Sequence, residues 1–207
     1  MKIAVIMLHF GALTTTHDSL KNLTPKLAGH RLILVNNTKD DISALDKIIP
    51  GTALIDNRRN LGFAAGVNQG IKLALQDQSI THFFLLNNDL QFSMGNFNQL
   101  ALTFAKNTAA GLPAQAGIVA PILHHAGGFD WGGKYNPWTG LVRHKNWPNK
   151  PKTTLSVTHV AGAAMLISRA VVEKVGSLDE RFFLYYEDLD FCLRVQKAGY
   201  TIHINPE

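Results

Sequence analysis

Cysteine is nearly absent from this sequence. The 207 residues include only Cys192, so no disulfide can form within the chain, which is typical of a reducing compartment. No apolar run approaches the ~20 residues of a membrane-spanning helix. The first residues, MKIAVIML, are too short for a signal peptide and lack a cleavage site of small residues. We therefore expect a cytoplasmic protein, with peripheral contact to the inner face of the membrane left open.

Acidic residues are fewer than basic ones. The chain has 15 Asp and Glu against 20 Lys and Arg, with a formal net charge of +5 and a pI of about 9.4. This balance favours anionic partners such as phosphates, nucleic acid or an acidic membrane surface. We expect no nucleic-acid partner, because the sequence has no compact basic helix, recognition motif or repeated aromatic-basic platform outside one loop.

Short apolar runs alternate with segments of helical character. The runs predict strands over residues 2–8, 31–35, 53–56, 83–86, 118–120 and 160–168. Helices are predicted over residues 19–27, 63–75, 96–106, 170–175 and 187–198. This alternation predicts an α/β fold with a mostly parallel central sheet flanked by helices. In such sheets, ligands bind at the carboxyl ends of the strands.

Residues 126–152 differ from the rest in composition. They are rich in Gly, Pro, Asn and Trp, hold all three tryptophans, and carry only basic charges after Asp130. We interpret this segment as an extended excursion from the sheet that includes a hairpin.

The stretch HFFLLNNDL is an apolar run that ends on Asn87, Asn88 and Asp89. An aspartate at the end of a strand can coordinate a hard divalent cation, and Mg²⁺ usually takes one or two carboxylates together with substrate phosphates. The alternative is an Asx turn, in which these side chains bond their own backbone. The run alone leaves both interpretations open.

The stretch NRRNLGFAAGVNQGI joins a loop to a predicted helix. Gly62 and Gly66 allow close backbone approach, and Arg58 and Arg59 stand beside the start of the helix. A helix N-terminus attracts phosphate. The alternative is a loop-helix junction in which small residues serve packing. The pattern is neither a P-loop nor a dinucleotide fingerprint.

Three carboxylates, Glu187, Asp188 and Asp190, follow an aromatic block at residues 182–186. Acids in the first turn of a helix are stabilised by the helix dipole, which is one explanation for them. The other is catalytic. A carboxylate among aromatics and other carboxylates can have a raised pKa, which suits a general base.

Taken in order, these stretches resemble family 2 glycosyltransferases of the GT-A fold, and most of all the rhamnosyltransferase-like branch. The loop-helix stretch is similar to that branch's Asn-x-Gly-Phe-Ala-x-Gly-x-Asn signature, here Asn60, Gly62, Phe63, Ala64, Gly66 and Asn68. FLLNNDL is similar to its version of the Asp-x-Asp metal motif. The segment from residue 160 to 200 resembles its acceptor-side segment, which carries the Glu-Asp pair.

The resemblance implies a metal-dependent, inverting transfer of a sugar from a nucleotide-diphosphate sugar to a hydroxyl, in bacterial cell-surface polysaccharide synthesis. Asp89 would bind Mg²⁺ or Mn²⁺, and Asp188 would deprotonate the acceptor, with Glu187 or Asp190 in support. The nucleotide would lie near Asn36, Asp41, Arg58, Asn60, Gly62, Asn87 and Asn88.

The resemblance also implies an organisation and partners. We expect a single GT-A domain over residues 1–207, with a nucleotide-sugar half at 1–120 and an acceptor half at 121–207. The acceptor would be a saccharide or a lipid-linked saccharide, and a homodimer is left open. Residues 131–152 would stack on an acceptor sugar or meet a lipid-linked diphosphate at a membrane; a loop with a minor core is the alternative.

Two positions depart from the family pattern. The second strand ends Val35-Asn36-Asn37, where many relatives have Val-Asp-Asn, so the base of the nucleotide is left open. The chain stops at GYTIHINPE, where relatives usually continue, so we expect a C-terminal truncation. The alternative function is therefore a non-catalytic GT-A domain that binds nucleotide or carbohydrate.

Overall fold

The computed structural model describes residues 1–47, 49–91, 100–104, 115–126, 128–136, 138–139, 141–147, 149 and 153–206. Its strands are β1 Ile3–His9, β2 Arg31–Asn36, β3 Ala53–Asp56, β4 His82–Asn87, β5 Ala116–Pro121, β6 Leu123–His125, β7 Gly128–Tyr135, β8 Val142–Trp147, β9 Leu155–Val157, β10 Ala164–Ser168 and β11 Thr201–Asn205. Its named helices are α1 Leu13–Leu23, α2 Phe63–Leu75, α3 Arg169–Val175 and α4 Glu187–Lys197.

Eight strands form one mixed sheet in the order β3-β2-β1-β4-β10-β5-β11-β9. The pairs among β3, β2, β1 and β4 are parallel, as is β5 with β11, whereas β10 runs antiparallel to β4 and β5, and β9 to β11. The predicted α/β fold with a mostly parallel sheet is therefore confirmed. Because β1 to β4 are parallel, their carboxyl ends meet at one edge of the sheet.

Both faces of the sheet are buried along its inner strands, which explains why β1, β2, β4, β5 and β10 read as continuous apolar runs. Side chains alternate between the faces along each strand. Ile6 on β1 packs in the cluster that includes Val67 of α2 and Phe191 of α4. Its neighbour Val5 packs on the opposite face, in the cluster that includes Leu20 of α1.

A second sheet of three antiparallel strands, β6-β7-β8, occupies the predicted excursion, and the hairpin expected there is confirmed as β7 and β8. Hydrogen bonds to the segment between β9 and β10 join this sheet to the main body. The amide of Gly133 donates to the carbonyl of His159 at 2.9 Å, and the hydroxyl of Thr158 donates to the carbonyl of Gly133 at 3.1 Å. Trp138, at 94% exposure, lies at the tip of the hairpin.

Several boundaries differ from the prediction for local reasons. The helix α1 spans Leu13–Leu23, not 19–27, because Pro25 lacks the amide that would continue it; residues Thr24–Lys26 form a 3-10 turn instead. The strand predicted over 160–168 starts at Ala164. Of the helix predicted over 96–106, residues 100–104 are helical and the rest lies outside the described residues.

The last strand, β11, was not predicted. It pairs with β5 and β9, so it is held in the sheet by residues distant in sequence. Within the described ranges, no helix has the length and apolar character that crossing a membrane requires.

Candidate active site

Two neighbouring cavities open at the carboxyl ends of β1 and β4. The first, which we call the strand-end cavity, has a volume of about 410 Å³ and includes Asn60, Asn87 and Asp89 in its lining. The second, the helix-end cavity, has a volume of about 620 Å³ and lies at the start of α4. Both cavities are lined by Phe63, Asn87 and Leu184, so they adjoin along these side chains.

The end of β4 supplies the polar wall of the strand-end cavity. Asn88 is buried, and its Nδ2 donates to the carbonyl of Phe10 at 2.9 Å and to Oγ1 of Thr16 at 2.7 Å. Asp89 is exposed and is the one ionisable side chain among the described residues that line this cavity. Asn88 therefore ties β4 to the end of β1, while Asp89 stays open to a ligand.

The residues that line this cavity suit a divalent cation bound together with phosphate. Within the described ranges, no three His, Cys, Asp or Glu side chains group closely enough to hold a metal ion themselves. A cation at Asp89 would therefore complete its coordination with substrate oxygens and water, which is the usual manner of Mg²⁺.

Asn37, which the sequence analysis did not select, forms the back of the strand-end cavity. Its Nδ2 donates to the carbonyl of Gly62 at 2.9 Å, and its Oδ1 accepts from Nδ2 of Asn57 at 2.9 Å. Asn36 faces the other way, where it donates to Oδ1 of Asp56 at 2.9 Å. The alternation of strand side chains is the signal that separates the two asparagines, because α2 packs on the face of Asn37.

Two other predicted nucleotide-binding residues lie outside the described lining of both cavities. Asp41 is exposed, and its Oδ1 accepts from the amide of Ser43 at 2.9 Å, a bond that holds the pKa of Asp41 below its ordinary value. Arg58 is also exposed and forms an ion pair with Asp56. The predicted set thus divides: Asn60, Gly62, Asn87 and Asn88 line the strand-end cavity, and Asn36, Asp41 and Arg58 do not.

The start of α2 is closed by the aromatic block. The amide of Phe63 donates to the carbonyl of Phe183 at 2.8 Å, so this first helical amide already has a protein partner. Gly62, before it, has φ of +86°, and a Cβ there would lie 2.5 Å from the same carbonyl oxygen. A residue without a side chain is therefore required where the two segments touch.

The carboxylate of Asp188 is held from three directions in the helix-end cavity. Oδ2 accepts from the amide of Gly162 at 3.0 Å, and Oδ1 accepts from the amide of Leu189 at 2.7 Å. Oδ1 also lies 3.6 Å from Nε2 of His159. Burial would raise the pKa of Asp188, but the His159 and Gly162 donors outweigh it and lower the pKa. The raised pKa expected of a base here was wrong for Asp188.

The raised pKa belongs to Glu187 instead. Its side chain is buried, and within the described part of the chain its Oε2 has no hydrogen-bond partner. Burial, and then the negative charge of Asp188, raise the pKa of Glu187. Asp190 lies apart from both cavities, paired with Arg194 of the same helix at 2.7 Å. The three acids therefore occupy three different environments.

The aromatic block forms the rim of both cavities. Phe183 and Leu184 line the strand-end cavity, and Leu184, Tyr185 and Tyr186 line the helix-end cavity. All four are exposed. Tyr185 and Tyr186 have φ of 69° and 70°, a conformation that costs a side-chain-bearing residue about 1–3 kcal/mol. Such strain clusters at functional sites.

Replacing Glu187 with glutamine should stabilise the fold at neutral pH. The folded-state pKa of Glu187 lies above its unfolded value, so its ionisation opposes folding, and this cost is absent at pH values below about 4, where the carboxyl is neutral in both states. We expect the Tm of Glu187→Gln to exceed that of the wild type by about 2 °C at pH 7. Thermal unfolding from pH 4 to pH 8 should show the difference closing at the acidic end.

Glu173→Gln on the exposed face of α3 is the matched control for this series. Glu173 is paired with Arg169 at 2.7 Å, so its replacement should not raise the Tm. A Glu187→Gln protein that melts below the wild type at pH 7 would contradict the explanation from burial.

The sequence is similar to those of known glycosyltransferases. The sequence profile described as Glycosyl transferase family 2 matches residues 10–176. The low-salt glycan biosynthesis hexosyltransferase Agl10 of Haloferax volcanii is 26% identical over 192 residues, covering 90% of this chain and 60% of that protein. An N-acetylglucosaminyl-diphospho-decaprenol L-rhamnosyltransferase of Mycobacterium tuberculosis is 25% identical over 178 residues, covering 73% of this chain and 55% of that protein.

Among solved structures, the fold is similar to that of the mannosyltransferase PcManGT from Pyrobaculum calidifontis, solved with GDP-Man and Mn²⁺. The TM-score is 0.63 at 12% identity, over 99% of this chain and 56% of that one. The fold is thus the GT-A fold of glycosyltransferases. The chain belongs to glycosyl transferase family 2. It spans 55–60% of the length of the two curated relatives named above.

Proposed function

We propose that this chain carries the donor and acceptor sites of a metal-dependent, inverting glycosyltransferase. The observation that carries the proposal is the junction of the two cavities. The strand-end cavity holds Asp89, the helix-end cavity holds Asp188, and both are lined by Asn87. A nucleotide-diphosphate sugar in the first would present its anomeric carbon at the junction. An acceptor hydroxyl in the second would approach from the opposite side.

On the donor side, Asp89 would hold Mg²⁺ or Mn²⁺, which would supply positive charge to stabilise the departing diphosphate. Asn60 and Asn87 present amide groups to the same cavity, and Asn88 and the Asn37 network hold its walls in place. The solved relative with GDP-Man and Mn²⁺ supports a metal and a nucleotide sugar in this fold.

On the acceptor side, Asp188 would act as the base. Its lowered pKa keeps the carboxylate ionised at neutral pH. The acceptor oxygen forms a bond to the anomeric carbon while the bond from that carbon to the diphosphate oxygen breaks. The hydroxyl proton passes to Asp188, and the nucleoside diphosphate leaves. Attack on the face opposite the leaving group inverts the anomeric configuration.

The rim of the helix-end cavity and the name of one relative support a proposal for the acceptor class. The exposed aromatic side chains of Tyr185 and Tyr186 border the cavity that holds Asp188, and aromatic faces suit a sugar ring or a lipid-linked saccharide. The mycobacterial relative is named for an acceptor linked to decaprenol through a diphosphate. We propose a saccharide or lipid-linked saccharide acceptor in glycan synthesis. The presence of Asp89 and Asp188 in adjoining cavities favours an enzyme over a domain that only binds.

Nucleotide binding should require Asp89. We expect one of UDP, dTDP and GDP, added with Mn²⁺, to raise the Tm of the purified chain, since a ligand at 100 times its Kd stabilises the folded state by ~2.7 kcal/mol. EDTA or Asp89→Asn should remove that shift. Differential scanning fluorimetry measures it, and incubation of the matching nucleotide sugars with acceptors tests for release of the nucleoside diphosphate.

Asp18→Asn is the matched control, because Asp18 is an exposed aspartate of α1 outside both cavities. It should keep the full metal-dependent shift. If all three nucleoside diphosphates fail to shift the Tm of a cooperatively melting wild type, or if Asp89→Asn keeps the shift, the assignment of the donor site is wrong.

A further inference from the structure

His159 lies in the wall of the helix-end cavity, in the segment between β9 and β10. Its side chain is buried, and its Nε2 is 3.6 Å from Oδ1 of Asp188. We propose that His159 is a positioning residue for Asp188, whose imidazole fixes the orientation of the carboxylate and stabilises its negative charge. This inference rests on the proposed function, in which Asp188 is the base.

Backbone contacts hold His159 in place at the cavity wall. Its carbonyl accepts from the amide of Gly133 in the second sheet at 2.9 Å. A Cβ at Gly132 would meet the same carbonyl oxygen, so a glycine is needed for the second sheet to approach this closely. On the other side, the carbonyl of the next residue, Val160, faces Sγ of Cys192 in α4 at 3.9 Å. The second sheet and α4 therefore both hold the segment that contains His159. The helix α4 also places Asp188 beside His159.

The contacts of Asp188 leave room for one more donor. An ionised carboxylate offers about four lone-pair positions. The amides of Gly162 and Leu189 use two, one on each oxygen, and His159 faces Oδ1. The position left free is on Oδ2. His159 thus biases the carboxylate to present Oδ2 to an acceptor hydroxyl, which can give its proton to that oxygen.

The distance of 3.6 Å is longer than that of an ordinary hydrogen bond but lies within the range of an ion pair, so the contact between His159 and Asp188 is a close electrostatic one. Catalytic hydrogen bonds often tighten only when substrate binds. Among the described residues, the other titratable groups near Asp188 include Glu187 beside it, Cys192 one turn along α4, and Tyr185 and Tyr186 on the rim. Burial raises the pKa of Cys192 to about 12, so the thiol stays neutral and adds no negative charge beside Asp188 at neutral pH.

The test compares two replacements of His159 in the full chain. His159→Leu removes the donor, whereas His159→Gln keeps an N–H donor on a side chain of similar reach. Without the donor, the pKa of Asp188 should rise, and the acidic limb of the kcat/KM profile should move to higher pH by about one unit. We expect kcat of His159→Leu to fall by about 10–100-fold with KM for the nucleotide sugar unchanged, and His159→Gln to restore most of the loss.

A second measurement detects the effect of His159 on the pKa of Asp188 and does not require catalysis. The ¹³C resonance of the Asp188 carboxyl, assigned by its absence in Asp188→Asn, can be titrated in the wild type and in each variant. The pKa should rise in His159→Leu and stay near the wild-type value in His159→Gln. His125→Leu is the control, because His125 is an exposed histidine outside both cavities and should leave the titration unchanged.

The outcomes separate this inference from the proposed function. If the carboxyl of Asp188 titrates identically in the wild type and in a folded His159→Leu protein, His159 does not tune it and the inference is overturned, whether or not transfer is observed. If the titration shifts as expected but no nucleotide sugar supports transfer, the electrostatic pairing stands and the proposed base role of Asp188 fails.

Discussion

Replacing Asp188 with asparagine should lower the rate of sugar transfer by a factor of about 10²–10⁴, the usual contribution of a positioned general base. The amide has the volume of the carboxylate, and its oxygen can still accept from the amide of Gly162 or of Leu189, so the site should keep its shape. What it loses is the ability to take a proton from the acceptor. Release of the nucleoside diphosphate under saturating donor and acceptor measures the loss.

Binding of the donor should survive the same change. Asp188 lines the helix-end cavity, whereas Asp89 lines the strand-end cavity, so the metal-dependent rise in Tm should be the same in Asp188→Asn and in the wild type. Asp190→Asn is the matched control on the same helix, because Asp190 is paired with Arg194 and lines neither cavity. It should keep its rate within a few-fold. An Asp188→Asn protein that retained more than a tenth of the rate would rule out Asp188 as the base.

Much of the fold follows from local sequence. The boundaries of β3 and α2 agree with the prediction residue for residue. For α2, Gly62 and the apolar spacing after it set the start of the helix. The parallel sheet follows from apolar strands alternating with helices. Non-local pairing is what the sequence does not reveal. The insertion of β10 between β4 and β5, and the capture of β11 by β5, depend on contacts between distant segments.

Some residues of the candidate site could likewise be predicted from local sequence, whereas others depend on contacts between distant segments. Asp89 and Asn87 are at the end of a recognisable strand, so their position at the sheet edge could be predicted from the run that precedes them. The choice of Asn37 over Asn36 could not be made on composition, since it depends on which face of the sheet α2 covers. His159 had no local signal at all, because its role arises from α4 bringing Asp188 to it across 29 residues of chain.

The pKa values of Asp188 and Glu187 also depend on contacts that local sequence does not reveal. Aromatics and acids beside Asp188 in sequence predicted a raised pKa, yet the donors that lower it come from Gly162 and His159, in a different part of the chain. Glu187, its neighbour, is buried in the wall of the same cavity, where burial raises its pKa and its Oε2 has no donor among the described residues. The pKa values of these two adjacent acids on one helix are therefore shifted in opposite directions.

Replacing Gly62 with alanine should destabilise the fold and disrupt the donor site together. An alanine at φ of +86° costs about 2 kcal/mol in backbone strain. Its Cβ would also lie 2.5 Å from the carbonyl oxygen of Phe183, which is backbone and must move, at a cost of about 2 kcal/mol more. We expect the free energy of unfolding in urea to fall by about 4 kcal/mol. Since Phe183 and Leu184 line the strand-end cavity, the nucleotide-dependent rise in Tm should also be lost.

Gly176→Ala separates the cost of backbone strain from the cost of the collision with the carbonyl of Phe183. Gly176 ends α3 with φ of 87° and ψ of −166°, close to the φ of 86° and ψ of 171° at Gly62, but a Cβ there would meet nothing within 4 Å. The control therefore carries the strain without the collision, and should lose about 2 kcal/mol while keeping nucleotide binding. If the two variants lose the same stability, the Phe183 segment yields without cost. The contact at Gly62 would then not be what holds the aromatic rim over the two cavities.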